Sequence, residues 1–254
     1  MHVHLPKPLH GWRAFAGEVG IIVLGVLIAL GFEQLVGEWR WHKEAETARR
    51  AVDNELATAA EQGAGRLSIE DCLRDRIGEL AARLNSSNAR WTADPLRPVG
   101  AGAQSTPHWD NRSFRRVYSV PLTGWSQDAW DAAKSGGVLN HMSHDEVAAY
   151  SDVYGEIAGM RDFQNQELML ESNLSFLGSD QQLDNRSRID ALGKLGQLDS
   201  LNAVNAGLSS LIVNQVQALH LHVDSVRFTN ELKATIAGQR QYFGPCVKDV
   251  QVRF

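Results

Sequence analysis

The densest grouping of chemically capable side chains is His141-Met142-Ser143-His144-Asp145-Glu146. Two imidazoles three residues apart, flanked by carboxylates, could begin a zinc or iron site and support metal-dependent hydrolysis. The same residues have a plainer use. Ser143 followed three positions later by Glu146 is the capping-box pattern, in which the serine oxygen accepts a backbone N–H and the glutamate reaches back. Asp145 suits a helix N-terminus electrostatically. The cluster is therefore read as a helix start, with His141 and His144 as metal ligands the lesser alternative and no cofactor expected.

Other arrangements carry less. His220 and His222 are two apart on an expected helix and so face different ways. No H-E-x-x-H, G-x-S-x-G, P-loop or dinucleotide glycine pattern occurs. Val99-Gly100-Ala101-Gly102-Ala103 lacks the Lys-Ser/Thr that a phosphate loop needs. Arg112, Arg115 and Arg116 beside Trp109, Phe114 and Tyr118 form one basic–aromatic patch, able to meet an anionic group or lying as a solvated face. The expectation is a protein that is not an enzyme. With 25 Lys+Arg against 30 Asp+Glu, the net charge of −5 offers no field for a phosphate backbone, and nucleic acid is not expected as a partner.

The feature that sets the class lies near the N-terminus. Residues 14–36 read AFAGEVGIIVLGVLIALGFEQLV, and Val19 to Phe32 carries no charge. At ~1.5 Å per residue this segment is about 34 Å long, enough for a hydrocarbon core of roughly 30 Å. Trp12 and Arg13 precede it, and Trp39, Arg40, Trp41 and Lys43 follow, as interface anchors do. The competing reading is a cleaved signal peptide with apolar stretch Ile21 to Leu30 and the small-residue site Ala29-Leu30-Gly31. Glu18, at the entrance to the apolar run, and the tryptophans beyond its exit oppose it. Glu18, Ile22, Gly25, Ala29 and Glu33 share one helical face, where small residues let a second helix approach closely. The two glutamates either pair with a neighbouring helix or reach the interfaces.

Orientation follows from two opposed signals. Lys7 and Arg13 before the span against Arg40, Lys43, Arg49 and Arg50 after it favour a cytoplasmic C-terminal side, yet long domains translocate largely regardless of charge. Cys72 and Cys246 lie near the two ends of the following domain. One bridge between them would close a long loop and stabilise by a few kcal/mol, although two unrelated thiols are nearly as good a reading. The expectation is a short cytoplasmic tail at 1–13, a transmembrane helix at 14–36 and a periplasmic domain at 37–254 in a bacterial inner membrane.

Behind the span, Val52, Leu56, Ala59 and Gly63, then Ile69, Leu73, Ile77, Leu80 and Leu84, keep helical steps, with Gly63 and Gly65 as a possible kink. Residues 85–112, rich in Pro and Gly, form a long irregular loop whose Trp91 and Trp109, with Arg112, Phe114, Arg115 and Arg116, could meet a partner, although aromatics on such a loop more often tuck back onto the domain. Residues 114–120 and 247–254 have strand-like character and could pair. Helices then return: one after Ser126 closed by Gly136-Gly137, one from Ser143 ended by Gly178, a short one over 183–195, and a long one over 200–236. Leu201, Val204, Leu208, Leu211 and Val216 are assigned to the apolar side of this last helix. The expected fold is all-α, one N-terminal transmembrane helix and an antiparallel bundle of four to five helices.

The opening LPKPLHGWRAFAGEVGIIVLGVLIALGFEQLV resembles that of bacterial single-pass membrane proteins, whose shared mark is Gly-Glu before a VLGVLIAL-type helix. WSQDAWDAAKSGGVLNHMSHDEVAAYSDVYGEI is similar to a later segment of the same group. The resemblance covers about a third of the chain and implies a bacterial membrane protein with no transferable activity. The expected role is a membrane-anchored scaffold or accessory subunit. Its expected partners are membrane lipid and other inner-membrane subunits or a homo-oligomer. A periplasmic ligand sensor working with another chain is the alternative, and a metal-dependent hydrolase the lesser one.

Overall fold

The computed structural model describes residues 12–86, 90–94, 117–121 and 123–254, with side chains from residue 15 onward. The chain is helical with little sheet. The elements are α1 (Trp12–Ser68), α2 (Glu70–Ser86), β1 (Arg90–Trp91), α3 (Asp128–Ser135), α4 (His144–Asn173), β2 (Gln181–Gln182), α5 (Asn185–Ala218) and α6 (Ser225–Phe243). Single 3₁₀ turns follow α3 and α4, at Val138–His141 and Ser175–Gly178.

α1 is one helix of 57 residues with two different halves. Its first half is long and apolar enough to cross a membrane, and no other described residue covers its apolar stretch. Ile21, Leu24, Leu27 and Leu30 are more than half exposed. Its second half is a core element, with Val52, Leu56, Ala60 and Ala64 fully buried. Gly63 and Gly65, expected as a kink, leave the helix unbroken and serve close packing instead. A Cβ on Gly63 would lie 3.2 Å from both Ser209 O and Val213 Cγ2 of α5, and one on Gly65 would lie 3.1 Å from Gln239 Nε2 of α6. Two positions apart on a helix point to nearly opposite sides, so α5 and α6 flank α1.

α5 packs against α1, α2 and α4, and this encirclement decides which residues it buries. Leu195, Leu198, Asn202, Asn205, Ser209, Ile212, Val213 and Val216 are buried. The face expected to be apolar is displaced: Val204 and Leu211 are 40% and 39% exposed. The expected break between helices at 195–200 is absent, because Leu195 and Leu198 are both needed in the core. The break falls instead at residues 219–224, where His220 takes φ +50 and Asp224 caps α6 through the Val226 and Arg227 amides.

Two helix ends follow the sequence, whereas α4 stops at Asn173 and not at Gly178, and α3 is preceded by Gln127 with no side-chain cap of its own. Ser143 Oγ accepts the Glu146 amide at 3.2 Å at the start of α4. Gly137 takes φ +70 at the turn after α3, a conformation glycine adopts without cost. The expected strand pairing of 114–120 with 247–254 does not form among the described residues. The small antiparallel pair is Arg90–Trp91 with Gln181–Gln182. The segment after α6 instead lies on the α1–α2 junction, where Lys248 N donates to Ser68 O at 2.8 Å. There Cys72 and Cys246 form a disulfide across 174 residues, with Cα atoms 5.3 Å apart.

Candidate contact surfaces and the buried polar site

A row of polar ties fixes the domain to α1. Nearest the apolar half, Trp41 stacks on His141 with ring centroids 4.4 Å apart. Arg49 grips the Glu146 carboxylate through Nε and Nη2, the latter at 2.9 Å. The hydrogen bonds from Arg49 hold Glu146 below the usual carboxylate range against the effect of burial. Tyr150 Oη donates to buried Asp53 at 2.7 Å, and Asp53 also accepts the His222 amide at 3.2 Å.

Glu55 then caps α3 from another helix. Its Oε1 accepts from Ser126 Oγ at 2.6 Å and from the Ala129 amide at 3.1 Å, while Oε2 accepts from Tyr154 Oη at 2.6 Å and from the Trp130 amide at 3.3 Å. Burial pushes this carboxyl up, but the four hydrogen bonds outweigh it and lower its pKa. An anion at a helix N-terminus satisfies orphan amides and meets the dipole favourably. Trp130 stacks on Tyr154 at 5.0 Å, which closes the joint.

Farther along α1, Arg66 enters the core. Its Nη2 donates to Glu167 Oε1 of α4 at 2.9 Å and to Asn202 Oδ1 of α5 at 3.0 Å. Glu167 also accepts from Tyr118 Oη and Asn205 Nδ2, each at 3.0 Å. Burial raises the Tyr118 pKa well beyond the ordinary phenol range, so the hydroxyl stays a donor. Beside this pair, Arg66, Gln164, Glu167, Asn205 and Gln239 line a cavity of about 20 Å³. That is the room of one water molecule, not of a substrate.

The candidate metal ligands are not brought together. His141 is engaged with Trp41, and His144 is the exposed first residue of α4. Among the described residues no group of three or more His, Cys, Asp and Glu is placed to hold a metal ion.

Trp91 tucks back onto the domain, one of its two expected places, and not onto a partner-facing loop surface. It is 2% exposed, donates Nε1–H to Leu177 O at 2.7 Å and lies under the Arg83 guanidinium at 4.4 Å. Burying a large ring whose one polar atom is satisfied is favourable, which draws it inward. Trp109, Arg112, Phe114, Arg115 and Arg116 lie outside the described residues, as do the side chains of Trp12 and Arg13.

Among the described residues, most of the large apolar side chains left exposed lie on α1. Glu18, Ile22, Gly25 and Ala29 face outward, and so does Glu33; a Cβ on Gly25 would meet nothing within 4 Å. Trp39 and Arg40 are exposed, with Lys43 Nζ 4.1 Å over the Trp39 ring. Trp41 is less exposed than Trp39 and stacks on His141 of the domain. Just beyond Trp39, an open trough of about 470 Å³ runs between α1 and α3. Arg40, Lys43, Ala48 and Ala51 of α1 and Ala129 and Ala132 of α3 are among the residues that line it.

The Arg66–Glu167–Asn202–Asn205 site escaped the sequence reading. Its signal lay in the gaps of the apolar steps. Residue 66 stands three from both Gly63 and Ile69, and residue 167 stands seven from Met160, so opposite charges occupied core positions of two helices. Comparison with protein-family models, with curated proteins and with solved structures gives no match. The resemblance of the opening segment therefore brings no activity to this chain.

Proposed function

We propose that the chain is a single-pass protein of a bacterial inner membrane whose helical bundle acts as a non-enzymatic scaffold or accessory subunit through protein–protein contacts. The observation that carries this reading is the continuity of α1. One helix supplies both an uncovered apolar rod of membrane length and the central strut of a packed domain. Such a strut holds the domain at a fixed height and angle above the bilayer, which suits a part that presents surfaces rather than one that turns over substrate.

The disulfide supports a periplasmic domain, since such bonds persist in oxidising compartments. The short segment before α1 then stays in the cytoplasm. The cavity at Arg66 has room for one water, so a ligand of the sensor alternative would sit elsewhere, as in the open trough between α1 and α3. Lipid contacts the apolar half, and a second chain contacts the outward face of α1.

Purification from native membranes in a mild detergent tests the reading. The expected result is a homo-oligomer or a stoichiometric membrane partner. A lone monomer with no associated protein overturns it.

A further inference from the structure

We infer that the membrane-proximal end of the domain is a contact surface for anionic lipid headgroups, switched on by protonation of His42, His141 and His144. The inference rests on the reading of α1 as a membrane-crossing helix. Because α1 runs unbroken from its apolar segment into the domain, no linker separates this end from the bilayer. His42 lies beyond Val36 by about 9 Å along the axis. His141 stacks on Trp41 at the same level, and His144 lies between that contact and the Arg49–Glu146 pair, below about 20 Å. All three histidines are exposed. The headgroup layer adds roughly 5–8 Å to each face of the hydrocarbon, and a screened charge is felt about 8–10 Å beyond it.

The tether fixes what lies opposite this end, and the charges on it decide the headgroup. Arg40, Lys43 and Arg50 are exposed there, against Glu38, Glu44, Glu46 and Asp145. Arg49 and Glu146 neutralise each other, as do Asp131 and Lys134 of α3. With neutral imidazoles the acidic groups exceed the basic ones by one, and the end repels an anionic surface. Three imidazolium groups turn this into an excess of two cations. Histidine is the side chain whose charge changes between about pH 5 and 8, so the sign of this end reverses in that range. His220, His222 and Asp224 stand farther off, at the level of Asp53, about 25 Å past Val36. Since α1 has no break before Ser68, attraction at this end tilts the whole domain toward the membrane.

The full-length chain with Asn140→Cys, an exposed position beside His141, accepts an environment-sensitive fluorophore, since Cys72 and Cys246 are bonded to each other. It is reconstituted into vesicles of phosphatidylcholine with or without phosphatidylglycerol. With phosphatidylglycerol, acidification from about pH 8 to about pH 5.5 is expected to shift the emission to the blue, and high salt to abolish the shift. Each cation near an anionic surface favours contact about fivefold. His42→Gln with His144→Gln spares the Trp41–His141 stack and is expected to weaken the response at least about fivefold. An equal shift in phosphatidylcholine alone, a shift unmoved by the two substitutions, or no shift with phosphatidylglycerol overturns the inference. Carbonate extraction of the vesicles reads the span separately: a retained chain without the shift defeats the headgroup contact alone, and a released chain defeats the span on which it rests.

Discussion

Arg66 of α1 and Glu167 of α4 meet at 2.9 Å with only 8% and 2% of their side chains exposed. A pair so far from water gains from Coulomb attraction what it loses in hydration only while its geometry is complete. Here Asn202, Asn205 and Tyr118 add hydrogen bonds to it, from α5 and from the segment before α3, while Arg66 Nη1 and Asn205 Oδ1 stay buried without a partner among the described residues. Three helices and a connecting segment are thus registered on one buried charge pair.

Removal of one partner leaves the other charged in the core. Arg66→Met and Glu167→Leu are each expected to cost about 3–5 kcal/mol of unfolding free energy. The double change Arg66→Met with Glu167→Leu is expected to cost less than the two single changes summed, because no charge remains stranded. Denaturant unfolding of the four proteins gives the coupling. Additive losses would show that the pair does not act as a unit.

The two kinds of glycine separate in the same assay. Gly63→Ala pushes a methyl to 3.2 Å from the Ser209 carbonyl of α5 and is expected to destabilise by about 1–3 kcal/mol. Gly193, on the exposed side of α5, has nothing within 4 Å of an added Cβ. Gly193→Ala is expected to stabilise by roughly 1 kcal/mol through helix propensity. A neutral Gly63→Ala would show that α1 and α5 are less closely packed than described.

Much of this was legible in advance, and the exceptions share a cause. The apolar rod, the Ser143 cap and the Gly137 turn are local features, fixed by composition or by a few adjacent residues. The buried side of α5 is not local. A helix enclosed by three others buries more than one stripe, so Asn202 and Asn205 lie in the core while Val204 and Leu211 meet solvent. What draws Trp91 into the domain is not local either, since the Leu177 carbonyl that receives its N–H lies far along the chain. Charged residues at apolar steps were the overlooked clue to the Arg66 site.

The Cys72–Cys246 bridge pins the segment after α6 onto the α1–α2 junction. Its reduction, or Cys72→Ala with Cys246→Ala, is expected to lower stability by roughly 2–5 kcal/mol, as loss of a native bridge does. Thermal unfolding with and without reductant measures it. An unchanged midpoint would show that packing alone holds this segment.

Acid weakens the ties to α1. Glu55 and Glu146 have folded pKa values below their ordinary 4.5. A depressed carboxyl contributes its full stability above the unfolded pKa and loses it as pH falls through the folded one. Stability is therefore expected to hold down to about pH 4.5 and to decline below it. Glu55→Gln, which cannot ionise, is expected to start less stable at neutral pH and to decline less steeply. Equal slopes for the two proteins would remove Glu55 from the account.

The central claim is that one helix is both membrane tether and domain strut. Washing native membranes with alkaline carbonate tests it most directly, with the chain followed at full length. Retention of the intact 254-residue chain in the pellet is the predicted result. Its release into the supernatant, or a retained product lacking the apolar half of α1, would contradict the claim.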